Sequence, residues 1–328
     1  MIRIAFAGFR HSHILALYSA VKESTVAQLV GAYEADAATR EKTARESGVV
    51  FTYESYEALL ADETVDAVAI GDYYAIRGAR VIEALKAGKQ VISDKPLCTD
   101  QSEAEQIARL AREKGLCVYL MLDLRFDPKF GAVKRLVAEG AIGKLAQIRF
   151  GGQHPLLRDE RPSWYFEEGK HGGTINDIAI HGIDAVRYLC GISPVRIVGA
   201  RSWNAFAEDV PHFLDSGMLL LEMEEGVGLM ADVSYASPDG MRYALPFYWE
   251  FELWGLSGML RFGRNLDSVE LYRKESDRVE RIVPAPIGKT MLEDFVAAVR
   301  GEGDTVLTTE EVLSATEWAL KIQAASEG

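Results

Sequence analysis

The sequence has few cysteines, no excess of positive charge and no long apolar run. Its three cysteines, Cys98, Cys117 and Cys190, are far apart and form no CxxC pair, which favours reduced thiols in a cytoplasmic protein over a disulfide framework or a zinc site. A net charge of −13 disfavours nucleic acid and anionic membranes as partners. No segment approaches the ~20 apolar residues of a membrane span. The N-terminal apolar run is too short for a signal peptide and predicts a first strand.

The first third of the chain alternates short apolar runs with helical patterns. Strands are expected at Ile2–Ala7, Ala27–Tyr33, 49–53, 67–71, Gln90–Ser93 and 117–122. This alternation predicts a parallel sheet with helices on both faces, which is an α/β Rossmann domain. The 328 residues are enough for two domains, and we place the first at residues 1–122.

The pattern changes after residue 122. A helix at 128–139, a strand at 145–150 and a long helix at 174–189 are followed by a series of β-rich runs between 195 and 272. Consecutive strands with short connections predict a mostly antiparallel sheet. Two helices, near 291–300 and 309–325, end the chain. We therefore expect an α+β second domain at residues 123–328.

The first predicted strand leads into Gly8-Phe9-Arg10-His11-Ser12-His13 and then a helix. A dinucleotide fingerprint has glycine at the first, third and sixth of these positions, and only Gly8 is retained. The helix N-terminus still offers N–H groups and a favourable dipole to a phosphate, and Arg10 adds a positive charge. Two alternatives remain open: a loop that binds no nucleotide, and a metal site at His11 and His13. No third ligand is evident in the sequence, so we expect no metal.

The second predicted strand ends at Glu34, which is followed by Asp36. An acidic side chain at this position accepts hydrogen bonds from ribose hydroxyls and repels a 2′-phosphate. The sequence therefore favours NAD over NADP.

A set of short motifs runs in order along nearly the whole chain. They are the segment 83–99 with Asp94-Lys95-Pro96, then Arg125-Phe126-Asp127-Pro128, Gly140-Ala141-Ile142-Gly143-Lys144, Trp164, the segment 172–184 with Asp-x-x-x-His, and Leu292-Glu293-Asp294-Phe295. Together they resemble the glucose–fructose oxidoreductase/inositol dehydrogenase (Gfo/Idh/MocA) family, in which the first motif reads Glu-Lys-Pro. The resemblance implies an NAD-dependent dehydrogenase or reductase that acts on a sugar, polyol or related hydroxylated compound. The chain departs from the family at Asp72-Tyr73-Tyr74-Ala75-Ile76-Arg77, where Thr-Pro-x-x-x-His is common.

The residue types in these motifs suit hydride and proton transfer. Asp177 and His181 lie at i and i+4 on one predicted helical face, so Asp177 can hydrogen-bond the imidazole or a substrate hydroxyl, and His181 can exchange a proton near neutral pH. Asp184, at i+7, either supports this pair or is a charge on the helix face. Lys95 ends a predicted parallel strand, where such sheets bind ligands, and Pro96 favours an extended backbone before it. We expect Lys95 and His181 to converge beside the nicotinamide.

The candidate residues form three groups. The catalytic group is Lys95, Asp177 and His181. The cofactor group is Gly8, Phe9, Arg10, His11, Ser12, His13, Glu34, Gly71, Asp72, Asp94, Lys95 and Pro96. The substrate group is Lys95, Arg125, Trp164, Asp177 and His181, and it includes Trp164 because this residue lies in a polar loop that could line a pocket.

Two other functions remain open. The altered glycine loop favours a non-catalytic NAD-binding sensor, whereas the complete set of Lys95, Asp177 and His181 opposes it. A lyase or glycosidase with resident NAD would act without net oxidation. The resemblance also implies a homodimer or homotetramer formed through the sheet of the second domain, one face of which we expect to be exposed.

Overall fold

The computed structural model describes residues 1–285 and 288–327. These residues form two compact units. The first unit comprises Met1–Met121, Pro162–Gly172 and Lys289–Glu317, and the second comprises Leu122–Arg161, Gly173–Gly288 and Trp318–Gly328. The segments 162–172 and 289–317 therefore pack with the N-terminal residues, although they come later in the chain.

The first unit is built on a parallel sheet. Its strands are β1 (Ile2–Ala7), β2 (Ala27–Tyr33), β3 (Ala67–Ile70), β4 (Gln90–Ser93) and β5 (Val118–Leu120), in the order β2-β1-β3-β4-β5. All neighbouring pairs are parallel, and every residue of β3 is buried, as expected when helices cover both faces. The predicted α/β fold is confirmed. The predicted strand at 49–53 is wrong, because there the Thr52 and Tyr53 amides both donate to the single carbonyl of Ala32.

Helices connect the strands and close the chain. They are α1 (Ile14–Lys22), α2 (Ala37–Ser47), α3 (Tyr56–Ala61), α4 (Tyr74–Lys86), α5 (Gln101–Lys114), α6 (Pro128–Ala138), α7 (Ile180–Cys190), α8 (Met291–Val299) and α9 (Thr309–Ser326). Their ends follow local chemistry: Asp100 caps α5 by accepting from the Ser102 and Glu103 amides, and Gly115 ends it with φ 61°. Within residues 1–285 and 288–327, no helix has both the length and the apolar character to cross a membrane.

The second unit contains a larger sheet. Its strands are β6 (Leu145–Pro155), β7 (Pro194–Trp203), β8 (Ser216–Met223), β9 (Gly228–Ser237), β10 (Glu250–Gly255), β11 (Gly258–Gly263), β12 (Val269–Arg273) and β13 (Glu280–Ile282), in the order β13-β12-β11-β10-β6-β9-β8-β7. Only the β6–β9 pair is parallel among these described strands, so the prediction of a mostly antiparallel sheet is confirmed. Phe150, Phe251 and Phe262 stack on its inner face, and Phe130 of α6 meets Phe251 and Phe262 edge to face.

Replacing either of two helical glycines of the second unit by alanine should have opposite effects on stability. A Cβ on Gly182 in α7 would lie 2.2 Å from Cε2 of Phe150, whose buried ring stacks on Phe251, whereas a Cβ on Gly131 in α6 would meet nothing within 4 Å. We expect Gly182→Ala to lower the free energy of unfolding by about 1–3 kcal/mol through overpacking. Gly131→Ala should raise it by about 0.5–1 kcal/mol through helix propensity. Urea unfolding of both variants measures the difference, and equal effects would contradict this packing.

Candidate functional site

The loop after β1 needs glycine at its first position. Gly8 has φ +81°, and a Cβ there would lie 2.7 Å from the backbone nitrogen and the Cβ of Asp72. The Gly8 amide donates to the Tyr33 carbonyl at 2.9 Å, and the His11 amide donates to the Gly71 carbonyl at 3.0 Å. The loop is thus tied to the carboxyl ends of β2 and β3. A Cβ on Gly71 would also collide with Ile14 at 2.4 Å, so α1 begins close against the end of β3.

The same loop presents donors suited to a diphosphate. Within the described part of the chain, the amides of Arg10, Ser12 and His13 donate no hydrogen bond. The Arg10 guanidinium lies 3.5 Å from the Asp36 carboxylate and 5.7 Å from the centre of the Tyr73 ring. Free amides and a positive charge at the start of a helix fit the phosphates of a dinucleotide, although two of the three fingerprint glycines are missing.

Glu34 is committed to holding this loop. Its carboxylate is buried and accepts hydrogen bonds from the Phe9 amide at 2.6 Å and the Asp36 amide at 2.8 Å. Burial raises the pKa of Glu34, and these two amides partly offset that effect. The sequence predicted a ribose contact for Glu34. In the structure Asp36 is the more exposed of the two acids, and it caps α2 by accepting from the Thr39 amide and hydroxyl.

His11 and Asp94 form a buried pair at the ends of β1 and β4. His11 Nδ1 lies 2.5 Å from Asp94 Oδ2, and His11 Nε2 lies 3.1 Å from the Tyr74 hydroxyl. Burial lowers the pKa of His11 to about 3, so the ring is neutral, donates to Asp94 and accepts from Tyr74. Burial opposes ionisation of Asp94 too. The hydrogen bond from His11 and the Arg77 guanidinium at 3.3 Å nevertheless hold its pKa well below the usual range.

This pair also bears on the metal alternative. Potential ligand atoms of His11, His13 and Asp94 all lie within 4.8 Å of one another. A cation there would meet the guanidinium of Arg77, which already balances the Asp94 charge, and would have to break the short His11–Asp94 hydrogen bond. His13 is mostly exposed, with Nδ1 3.7 Å from Asp94. The arrangement suits a hydrogen-bonded pair, and the absence of a metal stays a prediction.

Lys95 and Pro96 follow Asp94 at the carboxyl edge of the parallel sheet. The Lys95–Pro96 peptide is cis, and Lys95 is 4% exposed. The Lys95 amide donates to Oδ1 of Asp94 at 2.8 Å. The backbone that carries the Lys95 amine is therefore fixed by the residue before it.

Trp164 belongs to the first unit. It is fully buried, its indole Nε1 donates to the Arg10 carbonyl at 3.1 Å, and its ring packs 5.0 Å from Tyr74. The sequence predicted a wall of the substrate pocket for Trp164. In the structure the indole secures the backbone of the loop after β1, and a substrate-binding role for Trp164 stays a prediction.

Asp177 and His181 lie on one continuous helical segment of the second unit. Asp177 sits in a π-helical stretch, Ile175–Ala179, that leads into α7. Its carboxylate accepts a hydrogen bond from the Tyr235 hydroxyl of β9. His181 Nδ1 lies 3.7 Å from Asp123, and its ring lies 5.3 Å from that of Trp249. Asp123 in turn pairs with Arg264. π-Helical turns are rare and often occur at functional sites.

Sequence patterns missed several of these neighbours. Tyr235, Trp249 and Arg264 all lie far beyond the end of α7 along the chain and carry no local signature. Trp249 has φ 53°, an unusual conformation for a bulky residue, and Gly152 makes room for its ring because a Cβ there would lie 2.8 Å away. Asp123 had a usable signal, since it stands just before the Arg125-Phe126-Asp127-Pro128 motif.

Arg125 and Asp184 form a buried ion pair. The Arg125 guanidinium donates two hydrogen bonds of 2.8 Å to the Asp184 carboxylate, and each residue is 1% exposed. The sequence predicted substrate binding for Arg125 and left Asp184 open between two interpretations. The structure gives both a structural role in joining the segment after β5 to α7, because bidentate pairing satisfies the fork of the guanidinium. The substrate-binding role of Arg125 stays a prediction.

Comparison with protein families gives two matches. The model described as oxidoreductase family, NAD-binding Rossmann fold, matches residues 2–122. The model described as GFO/IDH/MocA C-terminal domain matches residues 130–261.

Individual proteins agree with these matches. A 1,5-anhydro-D-fructose reductase of Ensifer adhaerens is 28% identical over 87% of this chain and 85% of its own. A scyllo-inositol 2-dehydrogenase (NAD(+)) of Bacillus subtilis is 30% identical over 61% of this chain and 57% of its own. A crystal structure from Erwinia carotovora atroseptica SCRI1043, named only by class as an oxidoreductase, has a TM-score of 0.89 at 25% identity, covering 99% of both chains. The names of the relatives specify NAD(+) in some cases and NADP(+) in others.

The buried neutral His11 predicts a pH-dependent stability. Between about pH 4.5 and 6.5 the unfolded chain protonates this histidine and the folded chain does not, so unfolding takes up a proton and stability rises with pH. His11→Gln should flatten the slope of unfolding free energy against pH in this window by up to ~1.4 kcal/mol per pH unit. Urea unfolding across the window measures it. His13→Gln is the control because its ring is exposed, and equal slopes in wild type and His11→Gln would contradict the neutral assignment.

Proposed function

The chain belongs to the Gfo/Idh/MocA oxidoreductase family, and on that premise we propose that it oxidises or reduces a secondary hydroxyl or carbonyl group of a sugar, polyol or related compound with NAD. The observation that carries the proposal is the donor set at the carboxyl edge of the parallel sheet: the Arg10, Ser12 and His13 amides with the Arg10 guanidinium. Ligands of open α/β sheets bind at this edge.

The residues of the first unit would hold the dinucleotide. The loop after β1 would bind the phosphates, Asp36 would accept from the ribose, and Asp72, Asp94 and Pro96 would shape the remaining wall at the ends of β3 and β4. NAD, when bound, supplies the ring that accepts or gives the hydride. Glu34 supports this site by accepting a hydrogen bond from the Phe9 amide, which fixes the loop after β1.

The proton is assigned to His181. Its imidazole would take the hydroxyl proton during oxidation and return it during reduction, and the nearby Asp123 carboxylate would stabilise the positive ring. The Tyr235 hydroxyl fixes Asp177, which would bind the reacting hydroxyl. The Lys95 ammonium would stabilise negative charge that develops on the reacting oxygen.

Variants of these groups test the catalytic assignment. Wild type is first screened with NAD and NADP against sugars, inositols and sugar acids. Lys95→Met and His181→Ala should then each lower kcat by about 100-fold or more, because each removes a group that acts on the reacting atoms. Lys42→Met and His212→Ala, which change exposed residues, are matched controls. Unchanged turnover in Lys95→Met and His181→Ala with intact folding would remove the proposal.

The same screen separates the other functions. Tight NAD binding without turnover of any compound would favour a sensor, as the replaced glycines at Arg10 and His13 suggest. Conversion of a substrate without accumulation of NADH would favour a lyase or glycosidase with resident NAD.

We assign NAD rather than NADP on the partly exposed Asp36 carboxylate, which would repel a 2′-phosphate. NADH should bind at least about tenfold more tightly than NADPH, a difference of about 1.4 kcal/mol. Asp36→Ser should narrow this ratio while keeping the cap on α2, since serine also caps helices. Fluorescence titration with both cofactors measures the ratio, and tighter binding of NADPH to the wild type would overturn the assignment.

We also propose that a second copy of the chain covers the outer face of the larger sheet. Met218 and Leu220 on β8 and Met230 on β9 share that face and are 54%, 46% and 42% exposed. Neighbouring exposed apolar side chains favour association. Sedimentation should show a dimer or tetramer that Leu220→Arg dissociates, and a monomeric wild type at micromolar concentration would contradict the proposal.

A further inference from the structure

Arg77 is an unusual residue for its position. It lies in the first turn of α4 and is completely buried. A positive charge at a helix N-terminus opposes the helix dipole, and burying a charge is unfavourable unless partners compensate it. Arg77 also stands in the segment 72–77, where this chain departs from the pattern of its family. The compensating partners therefore indicate why this residue is there.

The partners of Arg77 come from the ends of two strands. Its Nε donates to the Asp72 carbonyl at 2.7 Å, which lies just after β3. Its Nη1 donates to the Lys95 carbonyl and, at 3.2 Å, to the Pro96 carbonyl, both just after β4. Its Nη2 lies 3.3 Å from Asp94. One planar fork thus engages three consecutive residues of the segment that carries Lys95.

Charge balance alone does not account for these contacts. A single cation beside Asp94 would neutralise the carboxylate, yet three of the four acceptors are neutral backbone carbonyls. The guanidinium also lies 4.6 Å from the centre of the Tyr74 ring, and the Tyr74 hydroxyl binds His11, which binds Asp94. Arg77, Tyr74, His11 and Asp94 therefore form a closed cycle of contacts, and two of its members bind the Lys95 backbone: Arg77 at the carbonyl and Asp94 at the amide. A rigid planar donor suits this task, and a flexible ammonium does not.

We propose that Arg77 is the positioning residue for Lys95: its guanidinium holds the Lys95 and Pro96 carbonyls and so sets where the Lys95 amine points. The catalytic consequence of this role rests on the proposed function, in which Lys95 acts on the reacting oxygen. The placement of the Lys95 backbone does not depend on that function.

Turnover of Arg77 variants tests the catalytic consequence. Arg77→Ala should lower kcat by about 100-fold, because misplacing a catalytic group by about 1 Å slows a reaction by about that factor. The KM for the cofactor and the KM for the substrate should change little. Guanidinium ion added at low millimolar concentration should restore turnover saturably by filling the vacated site. Arg80→Ala is the matched control, because Arg80 lies one turn later on α4, pairs with Glu83 and covers the ring of Tyr56.

Two further variants separate positioning from charge balance and from folding. Arg77→Lys keeps the charge beside Asp94 without the fork, and Arg77→Met/Asp94→Asn removes both charges together. Both should fold and should keep the low kcat. Full kcat in either variant would overturn the proposal, because charge balance would then be sufficient. Failure of guanidinium to restore a folded Arg77→Ala enzyme would also overturn it.

Hydrogen exchange tests the placement without any substrate. Amides of the segment 94–98 should exchange faster in Arg77→Ala than in wild type or Arg80→Ala, and guanidinium should slow them again. Faster exchange that guanidinium reverses supports the proposal even if no substrate is turned over, in which case only the proposed function fails. Unchanged exchange in this segment overturns the proposal whatever the turnover shows.

Discussion

Asp94 is a carboxylate without access to water, and residues at the ends of the parallel strands supply the partners that compensate its buried charge. A buried charge is tolerated only when it is paired and hydrogen-bonded. Here His11 comes from the loop after β1, Arg77 from the helix after β3, and the Lys95 amide from the next residue. Three separate connections are thereby held to one group, at the sheet edge where a dinucleotide would bind.

Contacts from other segments also explain how a loop with a single fingerprint glycine keeps its shape. Gly8 provides the positive φ, and side chains elsewhere hold the backbone at the positions that follow it. Glu34 fixes the Phe9 amide, and the Trp164 indole fixes the Arg10 carbonyl. A side chain at position 10 is accommodated because it points to Asp36 and Tyr73, and so it adds charge where a phosphate would lie.

The helix that carries Asp177 and His181 is secured by groups far away in the sequence. The Gln323 side-chain oxygen accepts from the Ile175 and Asn176 amides, which would otherwise be unpaired at a helix start. The Arg125–Asp184 pair fixes α7 one turn after His181. Side chains that act on a substrate need rigid supports, and these contacts fix the helix that carries the two residues to which we assign proton transfer and hydroxyl binding.

The sequence by itself determined most of the order of strands and helices, the change from a parallel to a mostly antiparallel sheet, the glycine turn at Gly8 and the ends of α5. These depend on periodicity, glycine and capping, which act within a few residues. Only the tertiary structure decided that Glu34 binds the loop, that Arg125 pairs with Asp184, that residues 49–53 form no strand and that Arg77 grips the Lys95 segment. Each depends on which groups, distant in the sequence, come together in the folded chain. A buried polar group needs a hydrogen-bond partner, and tertiary packing decides which partners are within reach.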